Sequence, residues 1–359
     1  MKILHVAETI KGGIAVVLRQ LLLHDEDNFT VICLVPDAHV TELYDIDPRQ
    51  VSSFKRTGRN LFSLLHLLCA FVKIILREKP DIIHLHSSFA GFVCRLVIPL
   101  FFLTYRPRVV YCPHAFSFIM KGSRLRNHFF AIIERFLSCF TDKIICTSHY
   151  EKKVALKYGM ADKKISVVYN GVMKPVGKML PVDTPFILDK INILYVGRFD
   201  YQKGFDILLG LNDCLDKDRF MITAVGDFVN NVPYDISNNQ INFTGWLPQE
   251  KLRSYFHHAD VLVMPSRWES FGLVAVEAQS YGLPVIASNC ASLPEVIINN
   301  KTGYLFESEN VNELFAVVSR YSRTHWLQMR GDCRNHYFDK FTSEKMCRNV
   351  KHIYEGLLK

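Results

Sequence analysis

Short apolar runs alternate with longer segments of helical character along this chain, and the alternation restarts once. Strand-like runs in the first half include 2–7, 81–86 and 109–114, and 191–196 begins the second series. Regular alternation of strands and helices predicts parallel sheets covered by helices on both faces. A chain of 359 residues is long enough for two such domains. We therefore expect an α/β protein with two doubly wound, parallel-sheet domains.

The boundary between these domains is marked by a change in composition. After Asn170-Gly171, the segment 172–190 contains three prolines and one glycine and has no clear periodicity. These are the properties of a linker. We predict an N-terminal domain at 1–172, a linker at 173–189, a C-terminal domain at 190–340 and a terminal helix at 341–359.

The excess positive charge lies entirely in the first half. Residues 1–172 contain 23 Lys and Arg against 14 Asp and Glu, whereas the remainder contains 20 against 21. A basic surface of this kind would attract an anionic membrane or a phosphate-bearing acceptor, and a solvated basic face is the plainer alternative. No nucleic-acid recognition motif accompanies the charge, so we expect no nucleic-acid partner.

The cellular compartment is indicated by the cysteines and by the first residues. The ten cysteines form no C-x-x-C pair and no metal-finger spacing, which favours a reducing cytoplasm without disulfides. The run Lys2–Ala7 is too short for the apolar core of a signal peptide. The apolar segments 61–76 and 89–103 are interrupted by charged residues and a proline, so neither reaches the roughly 18 apolar residues of a spanning helix. We expect core helices there, with peripheral membrane contact as the alternative.

The most informative stretch is Pro265–Glu277. It follows an apolar strand at 261–264 and leads into a predicted helix that ends near Gly282 and Pro284. The loop can place Glu269 beside a ligand, and backbone N–H groups at the start of the helix favour an anion such as phosphate. Glu277, further along the helix, needs a hydrogen-bonding partner, and the hydroxyls of a ribose would be suitable.

A second loop carries two cations after a strand. In Gly197-Arg198-Phe199-Asp200-Tyr201-Gln202-Lys203-Gly204, a guanidinium and an ammonium stand five residues apart between glycines. Arginine can bind two phosphate oxygens at once and lysine acts as a mobile point charge, so the pair suits a diphosphate.

Two features of the first half also point to a ligand. Gly12 and Gly13 follow the first strand and allow close approach of the backbone, but they do not form the G-x-G-x-x-G fingerprint of dinucleotide enzymes. His114 ends a strand, at the sheet edge where α/β proteins bind ligands. His84 and His86 alternate on another strand, and we expect them to be structural because no further metal ligand is evident.

Together these motifs resemble the retaining glycosyltransferases of the GT4 family. The spacing of Glu269 and Glu277 in a Glu-Ser-Phe-Gly setting carries the resemblance, and the glycine and cation motifs follow in the family's order over nearly the whole chain. The resemblance implies the GT-B architecture, in which two Rossmann-like domains face each other across a cleft. The first domain would bind the acceptor, the second the nucleotide-sugar donor, and the terminal helix would cross back to the first.

The resemblance also implies roles for individual residues. His114 would lie near the donor sugar, Arg198 and Lys203 would stabilise the leaving nucleoside diphosphate, and Glu269 would bind sugar hydroxyls. The donor-binding residues that it implies are Gly12, Gly13, Gly197, Trp246, Leu247, Ser270, Phe271, Gly272, Leu273 and Glu277. It implies a metal-independent reaction without a cofactor.

We therefore predict a retaining glycosyltransferase that uses a nucleotide sugar, in the first place a UDP-hexose or UDP-N-acetylhexosamine, with GDP-sugars left open. The predicted acceptor is a lipid-linked or surface-polysaccharide intermediate of the O-antigen or capsule type. We expect a cytoplasmic protein, with an anionic membrane surface as a further partner at the inner face of the cell membrane. The alternatives are another GT-B nucleotide-sugar enzyme, such as an epimerase, and a non-catalytic subunit that binds nucleotide sugar.

Overall fold

Seven parallel strands form the sheet of the first structural unit. The strands are β1 (Lys2–Ala7), β2 (Thr30–Pro36), β3 (Val51–Phe54), β4 (Ile82–His86), β5 (Arg108–Cys112), β6 (Lys143–Cys146) and β7 (Ile165–Val167). Their order in the sheet is β3-β2-β1-β4-β5-β6-β7. The order reverses direction at β1, so the helices that connect the strands cover both faces of the sheet.

The computed structural model describes residues 1–24, 29–102, 104–120, 122–175, 186–187, 189–229, 234 and 240–359. The predicted linker therefore lies largely outside the described residues, including its prolines at 181 and 185.

Five helices connect the strands of the first sheet. They are α1 (Gly13–Leu23), α2 (Leu61–Glu78), α3 (Ser88–Val97), α4 (Arg124–Leu137) and α5 (His149–Lys157). Polar side chains cap three of them: Asn60, Ser123 and Ser148 accept hydrogen bonds from backbone N–H groups in the first turns of α2, α4 and α5. The predicted helix 89–103 is shorter in the structure: α3 ends at Val97, because Pro99 cannot continue it, and a 3₁₀ turn, Ile98–Phe101, follows.

The second unit contains a six-stranded parallel sheet. Its strands are β8 (Ile191–Val196), β9 (Phe220–Val225), β10 (Ile241–Gly245), β11 (Val261–Met264), β12 (Val285–Ser288) and β13 (Gly303–Phe306), in the order β10-β9-β8-β11-β12-β13. Its helices are α6 (Phe205–Cys214), α7 (Gln249–His258), α8 (Leu273–Ser280), α9 (Leu293–Val296), α10 (Val311–Arg320) and α11 (Arg323–Lys340).

A last helix, α12 (Ser343–Leu358), follows the second unit in the chain but packs with the first. The two units are 1–171 together with 343–359, and 172–342. Within the first unit, the Tyr354 hydroxyl lies 2.5 Å from Nδ1 of His84, and the Cys347 thiol donates to the carbonyl of Gln20 at 3.6 Å. These contacts attach α12 to β4 and to α1.

Each unit buries its own apolar core between sheet and helices. In the first unit, β1, β4 and β5 contribute Leu4, Ile83 and Val109 to a core that α2, α3 and α4 cover. In the second unit, Ile193 and Val263 lie at its centre. Among the helices of the described residues, none has both the length and the apolar character needed to cross a bilayer.

Candidate active site

Two loops meet at the carboxyl edge of the second sheet. The loop 197–204 follows β8, and the loop 265–272 follows β11, its neighbour in the sheet. The backbone N–H of Arg267 donates to the carbonyl of Gln202 at 2.9 Å, and the Gln202 amide donates to the carbonyl of Trp268 at 3.4 Å. The register of a parallel sheet thus brings together the two loops that the sequence predicted to hold a ligand.

The close approach of these loops requires glycine at position 204. Gly204 has φ +66°, and a Cβ built there would lie 2.0 Å from the carbonyl oxygen of Pro265. A neighbouring contact is equally tight, since a Cβ at Gly226 would lie 1.8 Å from the carbonyl oxygen of Gly197. Side chains at either position would push the loops apart.

Lys203 and Glu269 form an ion pair between the two loops. Lys203 Nζ lies 2.5 Å from Glu269 Oε1, which also accepts a hydrogen bond from the Ser266 hydroxyl at 3.0 Å. Glu269 is 6% exposed, and its carbonyl accepts from the Ser292 hydroxyl. A carboxylate buried to this extent needs such partners. The pair fixes the ammonium of Lys203 at the sheet edge and leaves it close to any anion bound there.

Arg198 is more accessible than Lys203. Its side chain is 40% exposed, with Nη2 3.1 Å from Asp200 and 2.7 Å from the Gln202 amide oxygen. These two contacts hold the guanidinium on the same loop as Lys203. Both predicted cations are thus paired with a carboxylate, Lys203 in a partly buried position and Arg198 in a more exposed one.

Arg267 is a residue of this edge that the sequence reasoning did not single out. Its guanidinium binds both carboxylate oxygens of Asp206 at 2.7 Å, bonds to Glu309 and lies 3.7 Å from the ring centroid of Tyr201. The hydrogen bonds to Asp206 raise the pKa of Arg267 further above its usual range. Arg267 thus ties the 265–272 loop to α6. Its place two residues before Glu269 was the only signal for it in the sequence.

The start of α8 lies beside this ion pair. Gly272 precedes the helix with φ +95°, Phe271 is buried and Ser270 is partly buried. Leu273 is the first residue of the helix and Glu277 its fifth. Burial raises the pKa of Glu277 to about 7, because desolvation disfavours the charged form. A ligand that donates hydrogen bonds to this carboxylate would favour its ionised form.

The other donor-binding residues predicted in this unit lie along the same edge. The N–H of Gly197 donates to the carbonyl of Val225, and the N–H of Gly226 to that of Gly245. These bonds join the carboxyl ends of β8, β9 and β10 in sequence. Beyond Gly245, Trp246 is 55% exposed and Leu247 is partly buried. One continuous edge thus extends from Trp246 to Glu269.

The first unit carries the remaining predicted residues, also at strand ends. Gly12, exposed and with φ +63°, precedes α1, and Gly13 is the first residue of that helix. His114, just after β5, has φ +54°, and Ala115 after it has φ +146°. Non-glycine residues rarely adopt such angles, and they often do so at functional sites.

His114 is the outer member of a chain of three hydrogen-bonded histidines. Its Nε2 lies 2.9 Å from Nδ1 of His86, whose Nε2 lies 2.9 Å from Nδ1 of His5. Burial lowers the pKa of His5 to about 3 and that of His114 to about 4, and lowers that of His86 as well, so the rings are neutral at neutral pH. Each neutral ring has one N–H, so the tautomer of His5 sets that of His86 and, through it, that of His114.

The sequence reasoning found His84 and His86 but missed His5, which pairs with His84 in the register of β1 and β4. Nitrogens of these three side chains lie within 4.8 Å of one another, a distance at which a metal ion could draw them together. In the structure these side chains form hydrogen bonds instead: His5 bonds to His86, and His84 bonds to Tyr354. A metal bound by His5 and His86 through these nitrogens would have to break the first of these bonds.

Asp-x-Asp triplets, a spacing suited to metal-bound diphosphates, occur at 25–27, 45–47 and 216–218. The first lies outside the described residues, and the second is Asp45-Ile46-Asp47. Asp45 is paired with Arg19 at 2.5 Å, and Asp47 with Arg49 at 2.5 Å. The guanidinium of Arg19 holds the pKa of Asp45 below its usual range. Both carboxylates are thus neutralised by arginine in this structure.

Comparisons with known proteins agree with this arrangement. The model of Glycosyltransferase Family 4 matches residues 11–173, and that of the Glycosyl transferases group 1 matches residues 181–332. An uncharacterised 41.2 kDa protein in the cps region of Klebsiella pneumoniae is 40% identical over 99% of this chain and 100% of its own. The UDP-Gal:alpha-D-GlcNAc-diphosphoundecaprenol alpha-1,3-galactosyltransferase of Escherichia coli is 27% identical, over 80% of this chain and 78% of its own.

Two solved structures show the same fold. Sucrose-phosphate synthase from Thermosynechococcus elongatus superposes with a TM-score of 0.83 at 18% identity, over 100% of this chain and 99% of that one. Anabaena HepE in complex with UDP-glucose superposes with a TM-score of 0.81 at 18% identity, over 99% of this chain and 100% of that one. The predicted GT-B fold class is confirmed. With family models matching both halves and a relative of 40% identity along its length, the chain belongs to the family 4 glycosyltransferases and is a glycosyltransferase of the GT-B type.

Proposed function

We propose that this enzyme is a retaining, metal-independent glycosyltransferase that moves a sugar from a UDP-sugar to a lipid-linked acceptor in the assembly of a surface polysaccharide. It works at the cytoplasmic face of the cell membrane. The observation that carries the proposal is the second-unit edge, where Lys203, Arg198 and the start of α8 lie on adjacent strand ends beside the buried Glu269.

The chemistry requires positive charge at the leaving group. When the bond between sugar C1 and the phosphate oxygen breaks, negative charge accumulates on the nucleoside diphosphate. Preorganised cations and N–H groups stabilise that charge. Lys203 is held in place by Glu269, and Arg198 is held by Asp200 and Gln202, so neither cation has to be ordered during the reaction.

Glu269 has a second role in this proposal. One of its oxygens binds Lys203 and Ser266, which leaves capacity to accept hydrogen bonds from donor-sugar hydroxyls. The acceptor oxygen attacks C1 from the face that the diphosphate leaves, and its proton passes to the departing phosphate oxygen. His114 lines the sugar site and Glu277 accepts hydrogen bonds from the ribose. Gly12 and Gly13 are also assigned to donor binding, and Trp246 and Leu247 lie along the base.

The nature of donor and acceptor is supported by relatives. The E. coli relative is named for a UDP-galactose donor and a diphosphoundecaprenol acceptor, HepE was solved with UDP-glucose, and the Klebsiella relative is encoded in a cps region. These names support a UDP-sugar, a lipid diphosphate acceptor and a capsule-type pathway for this chain.

The test is a donor screen followed by a transfer assay. The purified chain is tested against UDP- and GDP-hexoses and N-acetylhexosamines by thermal shift, since a bound donor stabilises the folded protein. Donors that bind are then incubated with synthetic sugar-diphosphate lipids, in EDTA and in added Mg²⁺. We expect a UDP-sugar to be transferred equally in both, with the α-configuration of the donor kept in the product, as read by NMR.

Lys203→Met and Glu269→Gln should abolish transfer, whereas Lys301→Met, the same change at an exposed turn, should not. Full activity in either site variant would refute the assigned roles. Conversion of the donor without acceptor would indicate an epimerase, and binding of a donor without turnover on any acceptor would indicate a non-catalytic subunit. Inversion at C1 would contradict the retaining mechanism.

A further inference from the structure

Helix α4 exposes large apolar side chains on its outward side. Leu125, Phe129, Ile132 and Phe136 recur at spacings of four, three and four residues, which places them on one side of the helix, and all four are exposed, Leu125 to 85%. The opposite side of α4 buries Ala131 and Leu137 together with a charged group, Glu134. A surface helix in water normally shows polar residues on its outward side.

The buried charge of α4 is paired within the protein. Glu134 accepts from the Arg95 guanidinium at 2.6 Å and from the Tyr111 hydroxyl at 2.9 Å, and Arg95 is 0% exposed. The guanidinium also lies 3.8 Å from the centroid of the Tyr111 ring. Glu134 is therefore held inside by paired groups, while four large apolar side chains of the same helix face outward.

The adjacent helix α3 also exposes large apolar side chains. Arg95, its charged residue, points into the core, whereas Phe89, Phe92 and Leu96 are exposed. Leu100, in the 3₁₀ turn that follows, is 75% exposed. The exposed side chains of these two neighbouring helices form one apolar area.

The exposed apolar area extends to α2. Leu61, Phe62 and Leu65, in the first turns of α2, are exposed, while Leu67 and Phe71 enter the core. Helix α2 contacts α3, and α3 contacts α4. All three helices lie on one side of the sheet, because each follows a strand in the direction β3 to β6. We call the outward sides of α2, α3 and α4 the apolar face.

Positive charge surrounds the apolar face. Residues 55–140 contain 13 Lys and Arg and only three Asp and Glu, of which Glu134 is buried. Arg124, Arg126 and Arg135 are exposed on α4. The exposed Arg59 lies 5.5 Å from the ring centroid of Phe89.

We propose that the apolar face docks on an anionic lipid bilayer, with its aromatic and leucine side chains in the interfacial region and its arginines on lipid phosphates. Apolar side chains flanked by arginine are what such a surface selects. A second copy of the chain would bring two strongly basic faces together, which electrostatic repulsion disfavours. The inference rests on the proposed function only in that a lipid-linked acceptor makes such docking useful.

Vesicle flotation tests the proposal without donor or acceptor. The full chain is mixed with phosphatidylcholine vesicles, with and without phosphatidylglycerol, at low and high salt. We expect binding to the anionic vesicles that weakens with salt. Phe129→Gln/Phe136→Gln should weaken it by more than about a hundredfold, since each large apolar side chain contributes more than about tenfold. Arg124→Gln/Arg126→Gln should weaken it by about fivefold per arginine.

The control is Leu327→Gln/Phe338→Gln, which removes two exposed apolar residues from α11 in the second unit and should bind as the unmodified chain does. Circular dichroism and thermal unfolding establish that each variant is folded, and the arginine variant leaves the buried core untouched. Glu269→Gln should float normally, which separates docking from transfer. Absence of flotation, flotation that the α4 variants leave unchanged, or self-association through α4 without vesicle binding would each overturn the proposal.

Discussion

The pH dependence of stability at Glu277 can be worked out from the structure. Burial raises the pKa of this carboxyl to about 7 in the folded chain, from an ordinary 4.5. A group with a raised folded pKa contributes stability that is present below pH 4.5 and is lost as the pH rises through 7. The difference of about 2.5 pKa units corresponds to a loss of about 3 kcal/mol from the free energy of unfolding at neutral pH and above. Because solvent partly reaches the side chain, this is an upper bound.

Glu277→Gln removes the cost of ionising a buried carboxyl. The variant should therefore become increasingly more stable than the unmodified chain as the pH rises. The gain should increase by about 2 kcal/mol between pH 5 and pH 8 and level off above pH 7.5. Urea unfolding followed by tryptophan fluorescence is the assay. All three tryptophans, Trp246, Trp268 and Trp326, lie in the second unit with Glu277, so the signal reports that unit selectively.

Glu250→Gln, at an exposed position of α7, controls for the change in net charge. A gain at Glu277→Gln that does not change with pH would refute the reasoning. If ribose hydroxyls donate to Glu277, the affinity for UDP should also fall about tenfold from pH 8 to pH 6, because the ionised fraction falls by about that factor. Glu277→Gln should remove that dependence.

Two further predictions concern the paired groups. Lys203→Met should destabilise the second unit by about 3 kcal/mol, because it leaves the buried Glu269 without its cation. The double variant Lys203→Met/Glu269→Gln should recover part of that loss in the same urea assay. An equal loss in both variants would argue against a strong pair. His86→Phe removes both hydrogen bonds that link His5, His86 and His114. It should therefore lower kcat about tenfold with little change in the donor KM, and should change the tautomer of His114 as seen by ¹⁵N NMR. His84→Phe, which removes only the bond to Tyr354, should leave that tautomer unchanged.

Much of the fold could be predicted from apolar periodicity, because buried parallel strands are short apolar runs between helices. The expected strands 2–7 and 191–196 are present with those bounds as β1 and β8. The elements that were missed have weak patterns. Strand β3 is four residues long with two serines, and α11 is an 18-residue helix with apolar residues on several sides.

The candidate site was predictable as a set of strand-end loops, but its contacts were not. Lys203 and Glu269 are 66 residues apart, and only the adjacency of β8 and β11 brings them within bonding distance. His5 was missed for the same reason, since its partnership with His86 depends on the register of β1 and β4. Pairing across strands is a property of the tertiary structure that no local pattern contains.

The placement of α12 has a consequence for the order in which the chain folds during synthesis. The first unit receives contacts from Tyr354 and Cys347, which lie in a helix encoded after the second unit. The residues of the second unit therefore leave the ribosome before those of the first unit are complete. The nascent first unit would lack its covering over His84 until translation passes residue 358. Domains that emerge first from the ribosome usually fold first. In this protein the first unit is completed only after the second unit has been synthesised.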